Sequence, residues 1–480
     1  MPEIILGIVQ AGKLFRWGML MLVAIIIIAF SSCKKEQITT DKTAMLAFST
    51  DSVKFDTVFT TINSPTINFI VHNLNKKAVN ISSIRLGGGA ASYFKINVDG
   101  HPGPQITNYT LAGGDSLFVF VQVAINPSNK STPFIVTDSI LFTTNGNLQM
   151  VKLMAFGQNA HFYASQAIGN TIWSDTVEPY VIYNSILVIP GCTLTINKGV
   201  KVYSHSGSAI IVQGSLNVYG SRYHPVTFQA DRLDQFYATA PGQWYGIWFA
   251  TSPGSIGNGS FNNAIIKNGV IGIEADSSIT GDTLRINKTV IQNMTTAGII
   301  GKSANITGKD LLVNNCGQYL FLGEFGGNYN FAYSTFDNSD AAITSASASV
   351  ILANNDYTNA AGATIKYPLT GNFTDCIIWG AATDEVEFDN VGDTNFTTNF
   401  KYNILKTSLS FNSTNKLNSD PQFNNPYNGN YHFASMSSPA INFSPYTIGD
   451  TLGVLYSLDS AARAGTRQPP TNDVAGCYVK

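Results

Sequence analysis

Charge is what this chain has least of. Lys, Arg, Asp and Glu make up 12% of its 480 residues, and 28 basic against 30 acidic side chains leave a net charge of −2. Nucleic-acid partners are held by clusters of Lys and Arg, and no basic patch stands out here, so a nucleic-acid partner is not expected. Cysteine is also sparse. Cys33, Cys192, Cys316, Cys376 and Cys477 lie far apart with no C-x-x-C pair, a spacing that indicates neither a zinc site nor a compact disulfide framework. The disulfide state of the last four stays open, although Cys316 and Cys376 lie in or beside apolar strands, where a buried free thiol is expected. Helical periodicity is missing too. What the chain does have is 42 glycines, 11% aromatic residues and many Asn, Ser and Thr, the profile of an extracytoplasmic all-β protein.

The N-terminus carries Lys13 and Arg16, an apolar run from Met19 to Phe30, then Ser31, Ser32 and Cys33. Twelve apolar residues make about 18 Å of helix against a hydrocarbon core of roughly 30 Å. That order and length read as a signal peptide over 1–32. Phe30-Ser31-Ser32-Cys33 resembles the bacterial lipobox, with Phe30 where an aliphatic residue is usual. The resemblance implies lipidation of Cys33 and attachment to the outer membrane, at the cell surface or the periplasmic face. Two or more acyl chains, at about 0.8 kcal/mol per buried CH₂, make such an attachment long-lived. Residues 33–43 then read as a polar tether.

Residues 44–160 show seven or eight short strands. Leu117, Val119, Val121 and Val123 alternate with residues of the other face, and Gly87-Gly88-Gly89, Gly113-Gly114 and Asn145-Gly146 supply turn chemistry between strands. This predicts a β-sandwich. With Ser52-Val53-Lys54-Phe55 early, Val71-His72-Asn73 in the middle and Ala155-Phe156-Gly157 closing, the segment resembles the immunoglobulin-like modules of bacterial surface proteins.

Over 165–400 the pattern becomes a repeat. Ala264-Ile265-Ile266-Lys267-Asn268, Thr289-Val290-Ile291-Gln292-Asn293, Leu311-Leu312-Val313-Asn314-Asn315 and Ser334-Thr335-Phe336-Asp337-Asn338 place Asn at intervals of 25, 22 and 23 residues. Without a leucine-rich pattern or a helical segment, this predicts a right-handed parallel β-helix with coils about 4.8 Å apart. Asn268, Asn293, Asn315 and Asn338 are expected to form a structural ladder, each amide bonding the next. Residues 401–480 read as a closing segment over the far end of the solenoid. Asp420-Pro421-Gln422-Phe423, Tyr431-His432-Phe433 and Asp473-Val474-Ala475-Gly476-Cys477-Tyr478 resemble the ends of bacterial β-helix proteins of the pectate-lyase-like superfamily, some of them related to polysaccharide lyases.

Chemistry is harder to find. The Asp-Asp and Gly-His-Gly motifs of polygalacturonases are absent. Asp231, Arg232 and Asp234 are catalytic candidates, because carboxylates and a guanidinium beside the aromatic planes of Tyr237, Trp244 and Trp248 suit a sugar-binding site. The alternative is a loop fixed by an Asp-Arg pair, with the two Trp covering the core. Glu385, Glu387 and Asp389 alternate, which would set them together on an outer face able to hold Ca²⁺, or leave them as a solvated strand face. Aromatics cluster from Tyr319 to Tyr333 with their facing undecided. The expected function is non-catalytic display of the β-helix for binding a polysaccharide or an envelope protein. The alternative is a lipid-anchored polysaccharide lyase or glycosidase acting in a groove of the coil.

Overall fold

Leu117, Val119, Val121 and Val123 are buried while Phe118 and Phe120 face outward, as the two-residue period of a strand requires. The computed structural model describes residues 37–443 apart from short internal stretches, the longest being 127–133, 277–282, 340–346 and 359–363. Cys33, Cys477 and the 473–478 motif therefore lie outside the described residues. The chain divides into two units. One holds the described residues through Asn126 together with Ile135–Gly157, and the other begins at Gln158. Among the described residues no helix is long and apolar enough to cross a membrane.

The first unit is a β-sandwich. One sheet orders Ile38–Thr39, Ala78–Leu86, Phe134–Thr144, Asn147–Gln158 and Ser52–Phe59, with Gln105–Leu111 also on Ala78–Leu86. The other orders Ala47–Phe48, Ile67–His72, Ser116–Val123, Phe94–Val98 and His101–Pro102. Rings from the two sheets meet in the core, Phe55 with Phe94 at 6.0 Å and Phe48 with Phe142 at 5.0 Å. Asn145-Gly146 turns between two strands with φ of 52° and 81°, the left-handed pair that an Asn-Gly hairpin favours.

The second unit is a right-handed parallel β-helix, a 25-stranded path of parallel pairings from His161–Ile168 to Lys416–Leu417. Pairing begins at His161, ahead of the expected start, because Tyr163 and Ile168 already supply the apolar positions of a coil. Each coil presents three strands, so the solenoid has three faces. The first face includes Val226–Ala230, Ala264–Lys267, Val290–Met294 and Leu312–Cys316. The second includes Gly246–Phe249, Ile271–Asp276 and the starts of Ala297–Lys309 and Tyr319–Ala332. The third includes Asn258–Asn262, Leu284–Asn287 and the ends of those two long strands.

The corners repeat as faithfully as the strands. Asn263, Lys288, Asp310, Tyr333, Asp375 and Tyr402 stack at the bend from third to first face, all with φ between 50° and 57°. Asn268, Asn293 and Asn315 stack at the next bend with φ of 67°, 58° and 53°, a conformation Asn tolerates better than most residues. Asn293 donates to Asn268 Oδ1 at 3.3 Å, and Asn315 donates to Asn293 Oδ1 at 2.7 Å. Asn338 departs from the expected ladder. Its amide instead clasps the backbone of Cys316, accepting from its N–H at 3.0 Å and donating to its carbonyl at 2.8 Å. Asn403 binds the Cys376 amide in the same way and accepts no part in the first ladder, bonding instead to Asn415.

Inside the coil, Phe321, Phe331, Phe373 and Phe400 run as a stack, with centroids 4.9, 5.2 and 4.7 Å apart. Tyr329 and Tyr333 are buried as well, which assigns most of the aromatic cluster inward. Cys316 and Cys376 are buried thiols outside any disulfide among the described residues, and Cys192 is partly exposed. Of the closing segment, residues up to 443 are described. The hairpin of Phe423–Asn425 and Asn430–Phe433 lies against the outside of the first face, Tyr431 on Leu312 and Val290, Phe433 and Ala440 on Ile377 and Ile404. Those outward apolar residues of the first face require a cover, and the hairpin supplies it.

Candidate functional site

The strand Ile271–Asp276 buries Ile273 and Ala275 in the solenoid core. Alternation therefore turns Glu274 and Asp276 to the outside of the second face. In-register pairing continues both columns across neighbouring coils. Trp248 lies opposite Glu274, which lies opposite Ile300 and then Leu322. Asp276 lies opposite Lys302, which lies opposite Glu324. Three carboxylates and one ammonium thus converge from residues spread over 50 positions of sequence.

Hydrogen bonds tie the group together. Lys302 Nζ donates to Glu274 Oε1 at 2.7 Å, and the Tyr245 hydroxyl donates to Glu274 Oε2 at 2.7 Å. Trp248 Nε1 donates to Asp276 Oδ2 at 2.7 Å. The other oxygen of Asp276, Oδ1, is buried and has no partner. Burial raises the Asp276 pKa above the usual carboxylate value, with the Trp248 hydrogen bond opposing and Glu274 adding to the rise. Glu324 is raised as well, by burial first, against the pull of Lys302. Burial works to lower the Lys302 pKa, but Glu274, Asp276 and Glu324 outweigh it and raise the value. Beside these groups Ile271, Ala297 and Ile300 form an apolar floor with Tyr245, Val270, Tyr319 and Leu322. Below it, on the core side, the Tyr329 ring fits against Gly301 and Gly323, and its hydroxyl donates to the carbonyls of Gly301 and Gly326 at 2.8 Å.

Of the residues singled out from sequence, Trp248 and Tyr319 reach this site, and Asp231, Arg232, Asp234, Tyr237 and Trp244 form separate structures. Asp231 Oδ2 meets His205 Nδ1 at 2.7 Å and accepts from the Tyr183 hydroxyl at 3.2 Å. His205 also stacks on Tyr183 at 4.3 Å. Arg232 Nε donates to Asp234 Oδ2 at 3.2 Å, and its guanidinium lies 3.8 Å from the Tyr237 ring centroid. These contacts fix the long loop between the first and second faces. Trp244 is fully buried and donates to the Lys267 carbonyl at 2.9 Å.

Glu385 corrects the expected acidic face. It is buried, its carboxylate accepting from Ser349 Oγ and from the Ala382 amide at 2.8 Å. The strand begins only at Val386, so Glu385 lies in the preceding bend, where strand alternation does not apply. Glu387 and Asp389 do face outward. Among the described residues, His161, Asp175 and Glu178 are the group of three His, Cys, Asp or Glu whose ligand atoms all lie within 4.8 Å of one another. The signal for the second-face site was present in the sequence. Asp276, Lys302 and Glu324 follow Asn268, Asn293 and Asn315 by eight, nine and nine residues, so the repeat that aligns the Asn also aligns the charges.

No family model and no curated protein matches the chain. Among solved structures, the catalytic unit of a GH87 α-1,3-glucanase from Streptomyces thermodiastaticus is 10% identical over 73% of this chain and 87% of its own, with a TM-score of 0.16. A family 123 glycoside hydrolase from Clostridium perfringens is 11% identical over 26% of each chain, with a TM-score of 0.19. The periplasmic chaperone SfaE is 8% identical over 24% of this chain and 58% of its own, with a TM-score of 0.17. The chain thus spans about a quarter and somewhat over half of the last two, and at these TM-scores the likenesses carry no argument about chemistry.

Proposed function

We propose that the second face of the solenoid binds a neutral glycan and hydrolyses it, with Asp276 as the proton donor. The observation that carries this reading is the state of Asp276. Its Oδ2 accepts from Trp248 while Oδ1 has no partner, and burial raises its pKa above the usual carboxylate value. A carboxyl whose protonated form is favoured in this way suits protonation of a leaving oxygen. Glu324, two coils away, has its Cα roughly 9.6 Å distant by strand spacing. Inverting hydrolysis uses two carboxyls about 6.5–9.5 Å apart, one giving a proton to the leaving oxygen and the other activating a water. In this reading Glu324 takes the proton from that water. Glu274, tied to Lys302 and Tyr245, positions Lys302 between the two.

The charge balance selects the substrate class. Three carboxylates against one ammonium disfavour an acidic polysaccharide. A lyase needs spare positive charge on the substrate carboxylate, and Lys302 is already committed to Glu274. The apolar floor and Trp248 suit the faces of uncharged sugars. In this reading the Cys33 lipid holds the activity at an envelope membrane.

The test is incubation of the full-length protein with neutral and acidic polysaccharides, following reducing ends and unsaturated products at about 235 nm. Hydrolysis of a neutral glycan that falls at least about 100-fold in Asp276→Asn, with binding retained, supports the proposal. Binding without any cleavage would establish non-catalytic display instead, and unsaturated products would establish a lyase.

A further inference from the structure

The first coil of the solenoid has a neighbouring coil on one side only along the parallel path. His161 opens its first strand, His161–Ile168, and Asp175 and Glu178 lie in the bend that carries the chain to the next coil at Tyr180. The side-chain ligand atoms of these three residues all lie within 4.8 Å of one another, with His161 Nε2 3.0 Å from Asp175 Oδ2. Each is held from behind. Asp175 Oδ1 accepts the amides of Val177 at 2.8 Å and Glu178 at 3.0 Å, which leaves Oδ2 toward His161. The His161 ring stacks on Tyr180 at 4.8 Å, and Tyr180 stacks on buried Trp173 at 4.5 Å. The Tyr180 hydroxyl accepts the amides of Ser174 and Asp175 at 3.2 and 3.3 Å. Asn159 donates to Glu178 Oε1 at 3.3 Å.

We propose that His161, Asp175 and Glu178 bind a zinc ion through His161 Nε2, Asp175 Oδ2 and a Glu178 carboxylate oxygen, with a fourth position open to water. One imidazole and two carboxylates form a donor set for a borderline ion, whereas Ca²⁺ takes six to eight oxygens. At zinc–ligand distances of about 2.0–2.1 Å, tetrahedral ligand atoms stand roughly 3.3 Å apart. The His161–Asp175 pair is already near that separation, and rotation of Glu178 completes the set. Aromatic stacking behind the imidazole and amide donors behind the carboxylate are the outer contacts that orient metal ligands. The ion would join the start of the first coil to its last bend, closing the coil that has the least parallel pairing, at an end where a solenoid needs protection.

Isothermal titration of the tag-free, EDTA-treated full-length protein with ZnCl₂ at pH 7.5 tests this. One zinc per chain is expected, bound at least tenfold more weakly by Glu178→Gln and not detectably by His161→Ala, with zinc raising the melting temperature of the unaltered protein only. Circular dichroism of both variants separates lost binding from lost folding, and Glu178→Gln keeps the shape of the side chain it replaces. Absence of zinc uptake, unchanged affinity in either folded variant, or equal affinity for CaCl₂ would overturn the assignment.

Discussion

Lys302→Met removes the ammonium from the second-face site and keeps most of its apolar stem. The contact broken is a 2.7 Å hydrogen bond to Glu274, whose side chain is 6% exposed against 37% for Lys302. Breaking one side of a fully buried pair costs roughly 3–5 kcal/mol, while an exposed pair is worth at most about 1 kcal/mol. Water can follow the exposed lysine end but reaches Glu274 poorly, so the expected loss at pH 8 is about 1.5–3 kcal/mol. The loss should depend on pH with a defined sign. Burial raises Asp276 and Glu324 above their unfolded values, so the folded state holds these protons more tightly. The cost of ionising them is absent below the unfolded value near pH 4 and complete above the folded one. Lys302 offsets burial at both carboxyls. Its removal therefore raises them further and enlarges the penalty at high pH. The stability gained from the raised Lys302 pKa is itself lost only above about pH 10, outside this window. Denaturant unfolding at pH 4.5 and 8, for the unaltered protein, Lys302→Met, Glu274→Gln and the double variant, measures all of this. We expect the Lys302→Met loss to shrink below about 1 kcal/mol at pH 4.5 and the double variant to recover at least half of the pH 8 loss. Equal losses at both pH values, or additive effects of the two substitutions, would refute the electrostatic account of the site.

Three further expectations come from the solenoid and the N-terminus. Gly323→Ala sets a methyl 2.6 Å from the Tyr329 ring, an overpacking that should cost about 1–3 kcal/mol in thermal unfolding. Because Glu324 is the next residue, the same change should also lower hydrolysis. Asn293→Ala breaks the Asn ladder in both directions and strains a residue at φ 58°, for a loss of about 2–3 kcal/mol. Asn293→Gly keeps the backbone conformation and should lose less in the same melt. Cys33→Ala should leave the protein folded and move it from the membrane pellet to the soluble fraction, and continued sedimentation would defeat the lipobox reading.

The difference between what was legible in the sequence and what was not follows from the geometry of a solenoid. Strand and repeat were readable because alternation along a strand is local, and Asn268, Asn293 and Asn315 recur where each coil makes the same left-handed bend. Asn338 ends a similar apolar triplet, yet the chain beyond it runs into a longer excursion before Val350. Its side chain is then free to bind the Cys316 backbone rather than extend the ladder. A search for neighbouring acidic residues leads to Asp231–Asp234 and Glu385–Asp389, because such a search follows the chain. The second-face site instead runs across the chain, through Asp276, Lys302 and Glu324, at intervals of 26 and 22 residues. In a parallel β-helix, side chains one coil apart are closer than side chains a few residues apart around a bend, about 4.8 Å between paired strands. Chemistry in such a fold is therefore assembled by register. Any change in coil length between Asp276 and Glu324 would dismantle the site even with every one of its residues retained. Inserting one residue between Thr296 and Lys302 would turn Lys302 toward the core, because a one-residue slip reverses the face of every following side chain.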